Sequence, residues 1–260
     1  MRILIGNWGA IYRREIRSYF TSPFYWAIAG LFWLISGLFF VSFLQTLLQR
    51  VADLDLQAAA AGGVPPVDLP YIFQQNFLGV LGFLMLVLMP MFSMGLYAEE
   101  RKRRTLELLA TSPVTNWAVA IAKLLAVVTF VLGLLLPLML SEVLLFSSAD
   151  PPIQPAAFFL GWLGLILLAA AVLSLGMFIS ALTDSTLLAA VFSFALALCL
   201  WALDSLGSQD WLSQLSLLRQ YSVWVQGEFD SSSLVLLLSV IGFGIFLTAQ
   251  AIQTFRFQQS

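Results

Sequence analysis

Six long apolar runs, at about 23–48, 73–98, 116–147, 156–182, 186–203 and 233–255, constrain this chain more than any other feature. A hydrocarbon layer about 30 Å thick is crossed by about 20 apolar residues in a helix, and lipid offers no partner to a bare backbone amide or carbonyl. The runs therefore predict an all-α polytopic membrane protein with six transmembrane helices. Composition agrees, with 60% hydrophobic and 10% charged residues, against about 25% charged in soluble domains.

Several function classes drop out. The chain has no histidine and a single cysteine, Cys199, inside an apolar run, so neither an internal disulfide nor a His/Cys metal site is expected. There is no Gly-x-x-x-x-Gly-Lys-Ser/Thr phosphate loop and no Ser-His-Asp or Cys-His set, so no catalytic residue is expected. A net charge of -2 gives no support to nucleic-acid binding.

If the six helices alternate in direction, both termini lie on one side together with most of the cations. Arg2, Arg13, Arg14, Arg17, the run from Arg101 to Arg104, Lys123 and Arg256 share that side, and only Arg50 and Arg219 fall opposite. The positive-inside rule then places both termini and the charged segment in the cytoplasm. The first run is too long for the core of a signal peptide and lacks a small-residue cleavage site, which predicts an uncleaved anchor. The outward segments 49–72, 150–152 and 204–232 are too short for a domain of their own. The expected organisation is an N-terminal helix over 1–22, one transmembrane domain over 23–255 and a tail over 256–260.

At 100° per residue, Ile5, Trp8, Tyr12, Ile16 and Tyr19 form one stripe, with Arg13, Arg14 and Arg17 beside it. Such a helix is expected to lie in the membrane interface, its apolar face among acyl chains and its arginines at anionic headgroups. The plainer reading is an anchor that only orients the first span. Ser22-Pro23 then starts that span, with proline at a tolerated position.

The only dense charge cluster begins at Glu99-Glu100, continues through the basic run 101–104 and passes into Thr105-Leu106-Glu107-Leu108-Leu109, ending at Ser112-Pro113-Val114. The two glutamates are expected near a helix start, where they meet the positive end of its dipole, and Pro113 ends the helix. Leu106, Leu109 and Ala110 share a face, with Glu107 beside it. Arg101 and Arg104, with their basic neighbours, suit phosphate headgroups or an acidic partner. The plainer alternative is a basic loop that only sets topology.

These segments carry a resemblance. The charged start, the Thr-Leu-Glu-Leu-Leu core, the Ser-Pro-Val ending and Lys123 resemble the loop between spans two and three of ABC type-2 permeases, and Pro90-Met91-Phe92-Ser93-Met94 is similar to the Pro-x-x-x-Met end of their span two. Residues 13–25, Arg-Arg-Glu-Ile-Arg-Ser-Tyr-Phe-Thr-Ser-Pro-Phe-Tyr, resemble the start of the gliding-motility and nitrous-oxide-reductase-maturation permeases. Gly227-Glu228-Phe229-Asp230 is similar to the Gly-Val-Ile-Asp before their last helix, with a short outer helix ahead of it whose apolar side would be Trp211, Leu215, Leu218 and Val225. Two positions depart from the pattern: Arg104 stands where the family usually has glycine, which moves the expected bend after span two, and Ala122 replaces the glycine before the span-three lysine, a change of one small residue for another.

The resemblance implies a six-helix permease subunit with a cytoplasmic coupling helix at about 99–115. It implies coupling through Glu99, Glu100, Arg101, Arg104, Thr105, Leu106, Glu107, Leu109 and Pro113, and an interfacial helix carrying Trp8, Tyr12, Arg13, Arg14, Arg17 and Tyr19. Its partners would be a separate ATPase subunit that binds ATP and Mg, a second permease copy or a related permease, and membrane lipids. The implied activity is export across a bacterial plasma (inner) membrane. Two alternatives remain open: a membrane scaffold or assembly factor that transports nothing, and a secondary transporter, which would call for buried ionisable groups or inverted repeats.

Within the spans, Glu142 is the one carboxylate, and a charge at the bilayer centre costs about 2.5 kcal/mol or more. Its place after Pro137 near the outer end predicts contact with water or headgroups. Pro90 and Pro137 are expected to bend their helices and free carbonyls, as pathway or hinge elements. Gly161, Gly164, Ala169, Ala170, Ser174 and Gly176 permit close helix approach. Phe24, Tyr25, Trp26, Trp117, Trp162 and Trp201 read as interface anchors.

Overall fold

The computed structural model describes residues 2–61, 68–103, 115–147, 149, 154–205 and 216–258. These residues form α1 (Arg2–Thr21), α2 (Pro23–Ala61), α3 (Leu69–Ser93), α4 (Gly95–Lys102), α5 (Asn116–Phe146), α6 (Pro155–Leu182), α7 (Thr186–Ser205), α8 (Leu217–Val225) and α9 (Ser231–Gln258). Five stretches are long and apolar enough to cross a membrane: Pro23–Gln57, Leu69–Lys102, Asn116–Phe146, Pro155–Leu182 and Ser231–Thr254. The apolar helix over Thr186–Ala202 is shorter than these.

Local chemistry sets the helix ends. Asp68 caps α3 by accepting from the Tyr71 amide at 3.1 Å, and Pro70 occupies the first turn, where its missing N–H costs nothing. Asp230 caps α9, its carboxylate accepting from the Ser232 and Ser233 amides. Helix α8 ends in a Schellman motif, with Gly227 N–H to Trp224 C=O and Glu228 N–H to Val223 C=O. Gly227 stands at φ 76°, which a side chain would disfavour. The Gly-Glu-Phe-Asp signature thus stops one helix and starts the next.

Helix α2 departs from expectation. The segment from 49 was expected to be loop, but the helix runs on to Ala61 because Gln49–Ala61 is rich in Ala, Leu and Gln, which favour helix. Its 39 residues span about 58 Å, well beyond a hydrocarbon core of about 30 Å.

Helix α6 is the centre of the bundle and packs against α3, α4, α5, α7, α8 and α9. Its small residues let neighbours approach as expected. Leu78 and Gln74 lie against Gly161, Trp224 and Tyr221 against Gly164, and Ser93 against Gly176. By contrast α2 and α9 expose apolar side chains such as Leu34, Leu38, Val235 and Phe243, the outward surface of a protein solvated by lipid.

Helix α1 packs on α5. Tyr12 donates its hydroxyl to Thr129 Oγ1 at 2.9 Å, and Tyr19, which is buried, stacks on Phe130. The expectation that the stripe sinks among acyl chains is corrected for Tyr12 and Tyr19, to which α5 offers a matching hydroxyl and aromatic surface. Arg13, Arg14 and Arg17 remain exposed.

Candidate functional site

Lys123, one turn or two into α5, is 1% exposed. Burying an ammonium is costly unless each donor finds a partner, and here all three do. Nζ donates to the Leu96 carbonyl at 2.8 Å and lies 3.0 Å from Glu100 Oε1 and 3.3 Å from Glu15 Oε1. The Tyr97 ring faces it at 4.9 Å. Arg14 closes the cluster from the solvent side, 2.6 Å from Glu15 and 3.0 Å from Glu100. Two cations and two carboxylates from α1, α4 and α5 thus balance in one place. Partial burial lowers the Arg14 pKa, but Glu15 and Glu100 outweigh it and the guanidinium ends above its usual value.

Beside this cluster lies an open cleft of about 520 Å³ between α1, the start of α2 and α4. Ser18, Tyr25, Gly95, Glu99 and Arg103 line it with the ionic residues. Glu99 is paired with Arg103 at 2.6 Å, one helical turn on.

Helix α4 continues α3 after a break at Met94 and ends at Lys102. Glu99 and Glu100 therefore lie in its closing turns, which corrects their expected place at a helix start. Their carboxylates are held by cations instead of by a helix dipole. Arg101 was expected to face headgroups or a partner; it pairs instead with Asp184 in the α6–α7 turn and donates to the Ala181 carbonyl at 3.1 Å. Arg104, Thr105, Leu106, Glu107, Leu109 and Pro113 lie outside the described residues, as do Trp211 and Leu215.

The break at Met94 is bridged by a neighbouring helix. Ser180 Oγ of α6 accepts from the Tyr97 and Ala98 amides at 3.1 and 3.0 Å and donates to the Met94 carbonyl at 2.8 Å. The backbone groups that a helix break leaves bare are satisfied from α6. Pro90, four residues ahead, is buried within α3. Pro137 lies within α5 and has no amide to offer the Gly133 carbonyl one turn back; the next carbonyl, that of Leu134, accepts from the Trp33 indole at 2.9 Å.

At the opposite end of the bundle, α8 wedges between α3 and α6. Tyr221 donates to the Leu78 carbonyl at 2.8 Å while its ring rests on Gly82 and Gly164. The expected apolar side of this helix is present, with Val225 buried and Leu218 partly so. An open cleft of about 470 Å³ lies between α3 and α8, lined by residues including Tyr71, Gln75 and Glu228. Glu142 does not reach water. It is 0% exposed, and Trp162 donates to it at 2.9 Å. Helix α6 covers it, so both Glu142 as a surface group and Trp162 as an interface anchor are corrected. Cys199, by contrast, is exposed.

Sequence reasoning missed Glu15, Ser180 and the engagement of Asp184. Glu15 carried a signal: it lies three residues after Tyr12 and four before Tyr19, so it shares the aromatic stripe. A carboxylate on the packed side of a helix needs a buried cation. Among the described residues no cluster of Asp, Glu or Cys of metal-binding size occurs.

Helices of this length and apolarity define an integral membrane protein. A comparison with protein families matches residues 7–219 to the family described as ABC-2 type transporter. That match covers most of the sequence, and the chain belongs to this family of membrane transport components. No curated protein matches it in a direct sequence comparison.

Proposed function

We propose that this chain is the membrane-spanning permease subunit of an ATP-driven ABC type-2 exporter, in which a separate ATPase binds ATP and Mg and this chain moves substrate. The observation that carries the reading is the buried Lys123–Glu100–Glu15 cluster. It joins α1, α4 and α5 where the chain enters and leaves the segment that resembles the family's coupling helix. A push on that segment would reach α4 on one side and α5 on the other. Helix α7 serves as the sixth crossing in this reading, both termini face the cytoplasm of a bacterial inner membrane, and α1 lies along its surface while packed on α5.

Two such subunits, identical or related, would pair with two ATPases, since six helices supply half a pathway. Export is favoured over binding-protein-fed import by the short outward segments 150–152 and 204–232, which offer little surface to a large binding protein. Inverted vesicles that show no ATP-dependent uptake of any candidate substrate would argue against export. The resemblance to the gliding-motility and nitrous-oxide-reductase-maturation permeases gives the nearest group, and the substrate does not follow from it.

The test is affinity purification of the tagged chain from gently solubilised native membranes. A soluble ATPase is expected to come with it and to be lost when Leu106 and Leu109 are made acidic. Its reproducible absence from intact, folded chain would favour a non-transporting scaffold.

A further inference from the structure

Helix α4 is held from two sides. One side is the ionic cluster with α1 and α5. The other is a set of contacts to the end of α6 and the α6–α7 turn: Ser180 bridging the break at Met94, and Arg101 bound to both the Ala181 carbonyl and Asp184. We propose that Ser180 is a positioning residue for transport, a latch that makes α4 and the α6–α7 turn move as one body, so that displacement of α4 is delivered to α6 and α7 as well as to α5. The proposal rests on the permease reading and extends it to a route that the coupling segment does not itself contain.

The chemistry of the break supports this. Where a helix is interrupted, amides beyond the break lose their intrahelical acceptors. A hydroxyl can supply one acceptor oxygen and one donor at once. Ser180 uses both, accepting two amides from α4 and returning its proton to the Met94 carbonyl. It is 0% exposed, so water cannot take its place while the contact holds. Displacement of α4 without α6 would leave two amides, a carbonyl and a hydroxyl without these partners in a buried place, where unpaired polar groups are strongly disfavoured. Moving α6 with α4 costs none of this.

The ion pair reinforces the same junction one turn further on. Asp184 sits in the only residues between α6 and α7, Thr183–Ser185, so the arginine holds the connection itself. Small residues line the path upward through α6: Ser93 rests on Gly176, and Ser174 on Gly244 of α9. Such close backbone contact passes a displacement on with little room for slack.

The experiment uses the chain purified with its ATPase, with Cys199→Ser as background and pairs of spin labels at Lys102 and Leu48 or at Leu187 and Leu48, all exposed positions. Distances are read without nucleotide and after ATP with vanadate. In the unmodified latch both distances are expected to shift together. In Ser180→Ala the Lys102 pair should still shift while the Leu187 pair stays in place, and Ser180→Thr should restore the joint shift. Asp184→Asn, at the surface and harmless to folding, should weaken the correlation in the same direction. A Lys102 shift without a Leu187 shift in the unmodified protein would overturn the latch while leaving the permease reading intact. So would joint movement that survives Ser180→Ala. No shift in the Lys102 pair in any variant would remove the permease reading and the latch with it.

Discussion

The Lys123 ammonium lies 3.0 Å from the Glu100 carboxylate, joining the first turns of α5 to the last turns of α4 inside protein. Neither residue is exposed enough for water to substitute for the other. Together with Glu15 and Arg14 they make a charge-neutral junction, and removing one member should cost far more than removing the set.

Lys123→Met should therefore insert normally but destabilise the folded protein by about 3–5 kcal/mol, the range for a broken buried ion pair. Combining it with Glu15→Gln and Glu100→Gln should recover most of that loss. Thermal unfolding in detergent checks both. Equal destabilisation by the single and triple variants would mean that the cluster does not act as a unit.

Trp162→Phe removes the indole N–H that donates to the fully buried carboxyl of Glu142. The expected loss is about 1–3 kcal/mol. Trp162→Phe with Glu142→Leu should lie closer to the parent than either single change, as a double-mutant cycle would show. Strictly additive losses would contradict a direct partnership.

Gly164 lies against α8, with an added Cβ 3.1 Å from Trp224 Cβ and 3.2 Å from the Tyr221 ring. Gly164→Val should push α8 out of its wedge, costing about 1–3 kcal/mol for overpacking. Tryptophan fluorescence should report a wetter Trp224, now buried. An unchanged spectrum and stability would show that α8 has slack to yield.

Asp230 caps α9 from outside the membrane. The Ser233 hydroxyl and then the Ser232 and Ser233 amides hold its carboxyl below the usual value. A depressed carboxylate stabilises the fold above its unfolded pKa of about 3.9 and loses that contribution as pH falls through the folded value. Parent stability should therefore drop below about pH 4 with a component that Asp230→Ala lacks. Unfolding midpoints for the two proteins between pH 6 and 3 test this, and parallel curves would exclude Asp230 as the source.

Much of the fold was legible because lipid makes few demands and makes them strictly. Apolar length gave the ends of α5 and α6 nearly to the residue, and the Gly-Glu-Phe-Asp signature placed α8 and the start of α9. Helix α2 ran past its predicted end because an Ala- and Leu-rich polar segment is a good helix with or without a membrane. The site was less legible, since it is assembled from residues distant in sequence. Lys123 and Glu100 were visible in a family pattern, but their pairing joins residues from two helices and its third member, Glu15, comes from a third, far away in sequence. Glu142 was misplaced for a related reason: depth along a span is readable from sequence, whereas which neighbour covers a face is not. Most of the expected coupling residues, from Arg104 to Pro113, lie outside the described residues.

In the proposed function a separate ATPase drives this chain through the segment that carries Leu109. The most direct measurement is ATP hydrolysis by the copurified ATPase in liposomes with and without the chain. Hydrolysis should rise with the parent chain and return to the ATPase-alone rate with Leu109→Glu, which would bury a carboxylate against the partner while leaving membrane insertion intact. A rate that is indifferent to the chain would rule out coupling to that ATPase, and a parent-like rate with Leu109→Glu would remove Leu109 from the contact.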